Sequence, residues 1–478
     1  MSDIRRIAYN TIIQLVGKTL TIALGLVSFG IMTRYLGQDG YGMYATVYAF
    51  LAIFGIVVDL GLQMTTTQLI SKPDANETHI LSNALGMRLV SSALFLGLAP
   101  LMVFAFPYPM IVKLGVMIAS LGFVFSSLVS TITSFFQKNL LMQRLVTAEI
   151  ASKVFSLAVL VGAVYINSGL IGVITATVFD SAIAFALLTI AVRRSIAVRP
   201  AFNISEWKKI WFHTWPIALT IALNLIYFKG DIFIMSLMKN DADVGLYGAP
   251  YRVLEVLINV AYLFLGLLLP LLASAAATKN TEKFRQVLQA GFDTLLIVAV
   301  PLVVGGIIIG KPLMILIAGS DFALSGEIMK ILLLATATIF IASLFGYGVV
   351  AYNRQREMIK FYAINAVFSI IAYTLAIYYY SYWGAAIVTV LTELFILCTS
   401  GYVLKRALGS LPSVRLFWHS GFAALAMAAA LMFVPFINVP FSIVLGGIVY
   451  LLVLYAVGGV DKTVVMEIIN IKSNGNRS

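Results

Sequence analysis

What most limits this chain is a pattern that recurs from Ile7 to Val457, stretches long and apolar enough to cross a bilayer. A spanning helix needs about 20 mostly apolar residues, because its backbone polar groups must find partners within the segment once water is gone. Such stretches follow one another here, broken by Gly, Pro or clustered charge. No polar stretch is long enough to fold as a separate soluble domain. Charged residues make up only 11% of the 478, against about 25% in soluble domains. The pattern predicts an all-α polytopic membrane protein of about fourteen transmembrane helices. The expected helices run from Ile7–Tyr35 and Tyr41–Ile70 to Val414–Val434 and Val439–Val457.

The net charge of +12 would suit a nucleic-acid partner, but the positions of the basic residues argue against one. They gather in alternate loops, at Arg193, Arg194, Arg199, Lys208 and Lys209, at Lys279, Lys283 and Arg285, at Arg354, Arg356 and Lys360, and at Lys405, Arg406 and Arg415. The positive-inside rule then places both termini in the cytoplasm. The apolar run after the N-terminal Arg5 and Arg6 is too long for a cleaved signal and lacks a small-residue cleavage site, so an uncleaved first helix is expected.

Several motifs carry no chemistry in this setting. Gly17-Lys18-Thr19 resembles the end of a phosphate loop, but the pattern needs glycine where the chain has Ile12, which argues against nucleotide hydrolysis. His79, His213 and His419 are scattered, so neither a metal nor another cofactor is expected. Cys398 is alone in an apolar helix and is expected to be a buried structural thiol. The sequons at Asn76 and Asn203 fall in loops expected on the cytoplasmic side. The clustered tyrosines, Tyr41, Tyr44, Tyr48, Tyr247, Tyr251 and Tyr378 to Tyr380, are expected to anchor outer helix ends at the membrane interface.

A repeat organises the rest. Gly42-x-Tyr44, Tyr48 and Leu51 recur at equal spacing as Gly245-x-Tyr247, Tyr251 and Leu254. A weaker echo at nearly the same offset relates Phe136–Asn139 to Tyr352–Gln355. The repeating unit is six helices, and an even number gives two lobes in one orientation, related by an axis along the membrane normal. The expected lobes are 1–200 and 201–409, followed by two extra helices and a cytoplasmic tail in 410–478. Two such bundles leave a cleft that rocking opens to either face, an architecture for moving a solute.

Ionisable residues within spans each cost roughly 2.5 to 3.5 kcal/mol, so each must face a cavity or a partner. The basic set is Lys18, Arg88, Lys153, Lys229 and Arg252, with Arg34 at an outer helix end. The acidic set for charge pairing or ion coupling is Asp59, Asp180, Asp231, Asp293 and Glu393. Counting rise per residue puts Lys18, Arg88 and Asp59 in one layer, where Asp59 can pair with either cation. Arg252 and Glu255 fit a local i,i+3 pair, Glu149 and Lys153 an i,i+4 pair.

The chain resembles the oligosaccharide flippases of the multidrug/oligosaccharidyl-lipid/polysaccharide exporter superfamily, the O-antigen and capsule-unit translocases. The residues that carry the likeness are Asn10-Thr11, Gln14-Leu15, Gly17-Lys18, Arg34-Tyr35-Leu36-Gly37, Gly40-Tyr41-Gly42-x-Tyr44 and Asp59-Leu60-Gly61-Leu62. The resemblance implies a secondary transporter, not an enzyme. It would move an undecaprenyl-pyrophosphate-linked oligosaccharide across the cytoplasmic (inner) membrane by alternating access, without ATP hydrolysis, for O-antigen, capsule or exopolysaccharide synthesis. It also implies a basic cavity, which Lys18, Arg88, Lys229 and Arg252 could supply. Polymerase or glycosyltransferase machinery would be the neighbouring partners. The driving force stays open between H⁺, Na⁺ and the membrane potential alone. A cation-coupled multidrug antiporter of the same superfamily is the alternative, and it predicts a dominant acidic residue in the first helix, where this chain has Lys18. A membrane-embedded polymerase or ligase would need a large external loop that the chain lacks.

Overall fold

The computed structural model describes residues 3–59, 61–72, 74–433 and 438–459; the expected tail beyond 459 lies outside the described residues. Among those residues there is no strand. The α-helices are α1 Asp3–Asp59, α2 Leu62–Ile70, α3 Glu77–Met102, α4 Met110–Lys138, α5 Met142–Tyr165, α6 Gly169–Arg193, α7 Ile204–Met238, α8 Asp241–Ala277, α9 Thr281–Ala318, α10 Ala323–Ala351, α11 Gln355–Leu408, α12 Arg415–Phe433 and α13 Val439–Ala456. Among the described residues, eleven helical stretches are long and apolar enough to cross a membrane. Large apolar side chains such as Leu94, Leu121, Val367 and Phe433 point outward, where lipid and not water can cover them.

Two of the helices are too long to be single rods. α1 leaves helical geometry at Gly37 (φ 66, ψ −171). The Phe29 and Tyr41 rings lie 5.5 Å apart, whereas twelve residues of straight helix would separate them by about 18 Å. The chain therefore turns back at Gly37, a backbone conformation that suits a residue without Cβ. α11 breaks in the same way at Ser381 (φ 49, ψ −133). Tyr362 and Glu393 lie within electrostatic reach across that break, although a straight helix would hold them about 46 Å apart. The second expected helix, Tyr41–Ile70, is itself interrupted: Gly61 is left-handed (φ 75) and α2 starts after it.

The chain forms two compact units, Met1–Gly248 with Phe368–Tyr382, and Ala249–Val367 with Trp383–Ser478. Lipid is as apolar as leucine, so helices in each unit are held by close packing and polar pairs and not by a hydrophobic gain. In the first unit Val47, Phe50 and Leu51 of α1 pack against Val112 and Val116 of α4 and Ile174 of α6. A second cluster joins Leu81 and Leu85 of α3, Ile132 and Phe136 of α4, and Leu188 and Val192 of α6. The link from α6 to α7 is pinned on α3: Ala201 N–H donates to the Ser82 carbonyl at 2.9 Å and Asn203 N–H to Asn83 Oδ1 at 3.2 Å. In the second unit α12 and α13 pack on α9 through Ile309, Met427, Leu431, Tyr450 and Leu454.

The repeat motif has a specific place in the first unit. A Cβ on Gly42 would run into the carbonyl oxygen of Asp241, and one on Gly245 into that of Gln38. One sequence offset relates Gln38 to Asp241 and Gly42 to Gly245, so the contact is reciprocal, a local two-fold crossing of backbones. The same offset relates Ala45 to Gly248, where an added Cβ would lie 3.4 Å from that of Ala45. The tyrosines around this crossing correct the expectation of interface anchoring. Tyr41 and Tyr247 are buried and Tyr44 and Tyr48 half-buried, and the rings of Tyr41, Tyr44 and Tyr48 follow one another in contact, Tyr44 and Tyr48 with centroids 4.4 Å apart. Tyr251, in the second unit, is buried as well, and Tyr378 to Tyr380 are exposed.

Cys398 also departs from expectation, for it is exposed and not buried. In a helix with lipid on one side an apolar thiol needs no protein cover. The sequon asparagines turn out to be helix caps: Asn76 Oδ1 accepts from His79 N–H at 3.0 Å, and Asn203 Oδ1 from Ser205 N–H at 3.0 Å.

Candidate functional site

The broken helix at Asp59 is met by a buried polar group. In an unbroken helix the Val58 carbonyl would accept from the N–H of residue 62; the left-handed Gly61 interrupts that path. Arg88 of α3 takes over, with Nη1 donating to Val58 O at 2.7 Å, Nη2 to Asp59 Oδ1 at 2.8 Å and Nε to Thr131 Oγ1 of α4 at 3.0 Å. A guanidinium has the fork geometry for three acceptors and its charge suits a helix C-terminus. Ser130 and Ser134 of α4 donate to the side chain and backbone of Gln63 on the far side of the break. Arg88 is fully buried and Asp59 is 45% exposed at its side chain. Asp59 thus belongs to Arg88, and the alternative pairing with Lys18 is not formed. Arg88 has three protein acceptors and no exposed surface, so it braces the fold at this point.

A second polar group joins α1, α5 and α6. Lys153 Nζ donates to Asp180 Oδ2 across the α5–α6 hairpin. The expected Glu149–Lys153 pair along α5 is replaced by this interhelical bridge. Lys153 and Asp180 each lie about eleven or twelve residues from the hairpin tip, so the two antiparallel helices bring them to one level. Counting outward from the tip would have found the pair. Glu149 lies within electrostatic reach of Lys18, Lys153 and Asp180. Lys18, Glu149, Lys153 and Asp180 are all half-buried. Lys18 forms no ion pair with any described residue. Near the same group Tyr48 shares a hydrogen bond with Thr177; both lie outside the residues expected for the site.

The remaining candidates are dispersed. Asp231 is fully buried and accepts from Tyr247 Oη at 2.7 Å and from Ile232 N–H at 2.7 Å. Lys229 lies with its ammonium 5.5 Å from the Phe228 ring centroid. Arg34 is exposed and donates to the Gly30 carbonyl of its own helix at 3.3 Å. In the second unit Arg252 pairs with Glu255 at 3.1 Å, as its i,i+3 spacing allows. Asp293 accepts from Gln289 Nε2 at 2.9 Å, and Gln289 also bonds the Ser413 backbone ahead of α12. Glu393 is 4% exposed.

Among the described residues no group of three or more His, Cys, Asp or Glu is placed to hold a metal ion. What the first unit does offer is a half-open, net-neutral layer of two lysines and two carboxylates within the spans. An anionic ligand could enter it by taking lysines over from their carboxylates.

Helices of this length, apolar exterior and internal charge define a multi-pass membrane protein. The fold is similar to "Lipid II flippase MurJ, inward closed conformation", at a TM-score of 0.74 and 15% identity, covering 92% of this chain and 98% of that one. It is also similar to a multidrug resistance MATE family transporter of the MOP superfamily, at a TM-score of 0.61 and 12% identity, covering 84% of this chain and 99% of that one. Residues 31–326 match the model of the family described as polysaccharide biosynthesis protein, and the chain belongs to that family. A Shigella dysenteriae protein named as a candidate O-antigen transporter is 21% identical over 183 residues, which are 38% of this chain and 45% of that relative. The chain therefore spans less than half the length of that relative.

Proposed function

We propose that this protein is a flippase for lipid-linked oligosaccharides. It would carry them from the cytoplasmic to the outer leaflet of the inner membrane by alternating access, without ATP hydrolysis. The family match over residues 31–326, on a fold shared with MurJ and MATE transporters, is the observation that supports this reading. The intramembrane charges fit the chemistry of such a substrate. A pyrophosphate needs positive donors to replace its water, and Lys18, half-buried and without an ion pair among the described residues, is the first of them. Lys153 follows if Asp180 releases it. Because the lysines already face carboxylates, binding stays weak enough for release. Moving about two negative charges outward down an inside-negative potential releases roughly 4.6 kcal/mol per 100 mV, which can drive net export.

In cells lacking the protein, lipid-linked repeat units should accumulate in the inner leaflet while total synthesis continues. An unchanged leaflet distribution would refute the proposal. Lys18→Ala should lower export several-fold at normal protein level, and Lys18→Arg should retain most of it, as pulse labelling of surface polysaccharide would show. Full export by Lys18→Ala would remove Lys18 from the site.

A further inference from the structure

The second unit contains a carboxylic acid that the charge network does not account for. Glu393 lies mid-way along the Trp383–Leu408 part of α11 and is 4% exposed. Among the described residues it forms no hydrogen bond and no ion pair. Among the described residues, titratable side chains within its electrostatic reach include Tyr262 of α8 and Tyr362 of the first part of α11, and Tyr347 of α10 is within reach of Tyr262. None of these is basic. Three residues from Tyr362, on the same helical face, Asn365 is completely buried and neither its Nδ2 nor its Oδ1 has a partner.

An ionised carboxylate needs a cation or several donors when it leaves water, and this surrounding provides neither. The acid form is neutral and satisfies the site at far lower cost. Glu393 differs in this from Asp180 and Asp59, which hold cations, and from Asp231, which has a phenol and a backbone N–H. Tyr262, within electrostatic reach of the buried acid, is itself 41% exposed. An intramembrane acid in such a place is suited to taking a proton in one state and releasing it in another.

We propose that Glu393 is the proton-binding site of this transporter: it carries one proton inward for each substrate moved outward, taking it up at the outer face and losing it at the inner. The step is an acid–base exchange with water at each face and needs no other reactant. The coupling role rests on the flippase reading above; the proton site itself does not.

Two measurements test the proposal separately. Infrared difference spectra of the purified full-length protein between low and high pH should show a protonated-carboxyl band that is lost in Glu393→Gln, a neutral isostere. An unchanged band in Glu393→Gln would overturn the site, as would a band that moves with Na⁺ at constant pH and not with pH. In proteoliposomes with a fluorescent polyprenyl-pyrophosphate-linked sugar, a one-unit outside-acid pH difference should raise the steady-state outer-to-inner ratio of the labelled lipid by up to about tenfold, the full worth of one proton per cycle. Glu393→Gln should abolish that response. Equal responses from both proteins would refute coupling through Glu393. If the wild type flips nothing while the infrared band still depends on Glu393, the transport reading fails and the proton site stands.

Discussion

Arg88→Met should destabilise the protein by about 3 kcal/mol, the low end for breaking a buried ion pair, because Asp59 can recruit water once its partner is gone. The larger part of the loss comes from the two other acceptors. Val58 O and Thr131 Oγ1 would lose their donor in a fully buried setting, and each such group costs about 1–3 kcal/mol to leave unsatisfied. Arg88→Lys should recover little, since one ammonium on a flexible stem cannot reach three acceptors set out for a planar fork. The thermal midpoint of the detergent-solubilised protein measures both. Adding Asp59→Asn to Arg88→Met separates the causes. If the helix break sets the cost, the double variant stays within about 0.5 kcal/mol of Arg88→Met. Recovery of most of the loss would show that the unpaired charge dominated instead.

Gly42→Leu should abolish export and reduce the folded fraction, since the added side chain meets the Asp241 carbonyl, part of a backbone that cannot rotate aside. Gly42→Ala and Gly245→Ala probe the crossing more gently. In a helix alanine is favoured over glycine by about 1 kcal/mol, which would stabilise either variant at an open position. Here the helices must separate, and overpacking of this kind costs about 1–3 kcal/mol. Both single variants should therefore lower the thermal midpoint. Once one alanine has spread the crossing, the second meets less resistance, so the double variant should lose clearly less than the sum of the two. Additive losses would mean that the glycines act at independent places.

Membrane residence and an all-helical fold were plain in the sequence, because twenty apolar residues in lipid have only the helix as a way to satisfy their backbone. The turn between the first two expected helices was legible for a similar local reason, glycine at the one residue with φ 66. The repeat was legible as a spacing of Gly42 and Gly245, but that the two copies meet each other needed coordinates. The interruption at Gly61 was hidden inside a run apolar enough to read as continuous helix. With it was hidden the reason for Arg88, whose third acceptor is a backbone carbonyl that no side-chain pattern reports.

The candidate site divides in the same way. Spacing along one helix identified Arg252 with Glu255, since i,i+3 neighbours share a face whatever surrounds them. The same rule proposed Glu149 with Lys153, and there the neighbouring helix α6 offered Asp180 instead. Thus the sequence alone determined which charges lie in the membrane and that each needs a partner or a cavity, because the cost of burying charge is fixed by residue type and depth. Only the tertiary structure decided the partners: Asp59 for Arg88, Asp180 for Lys153, Tyr247 for Asp231, and none among the described residues for Glu393. Ion pairs and hydrogen bonds act over a few ångströms, and which side chains come that close is set by how helices pack.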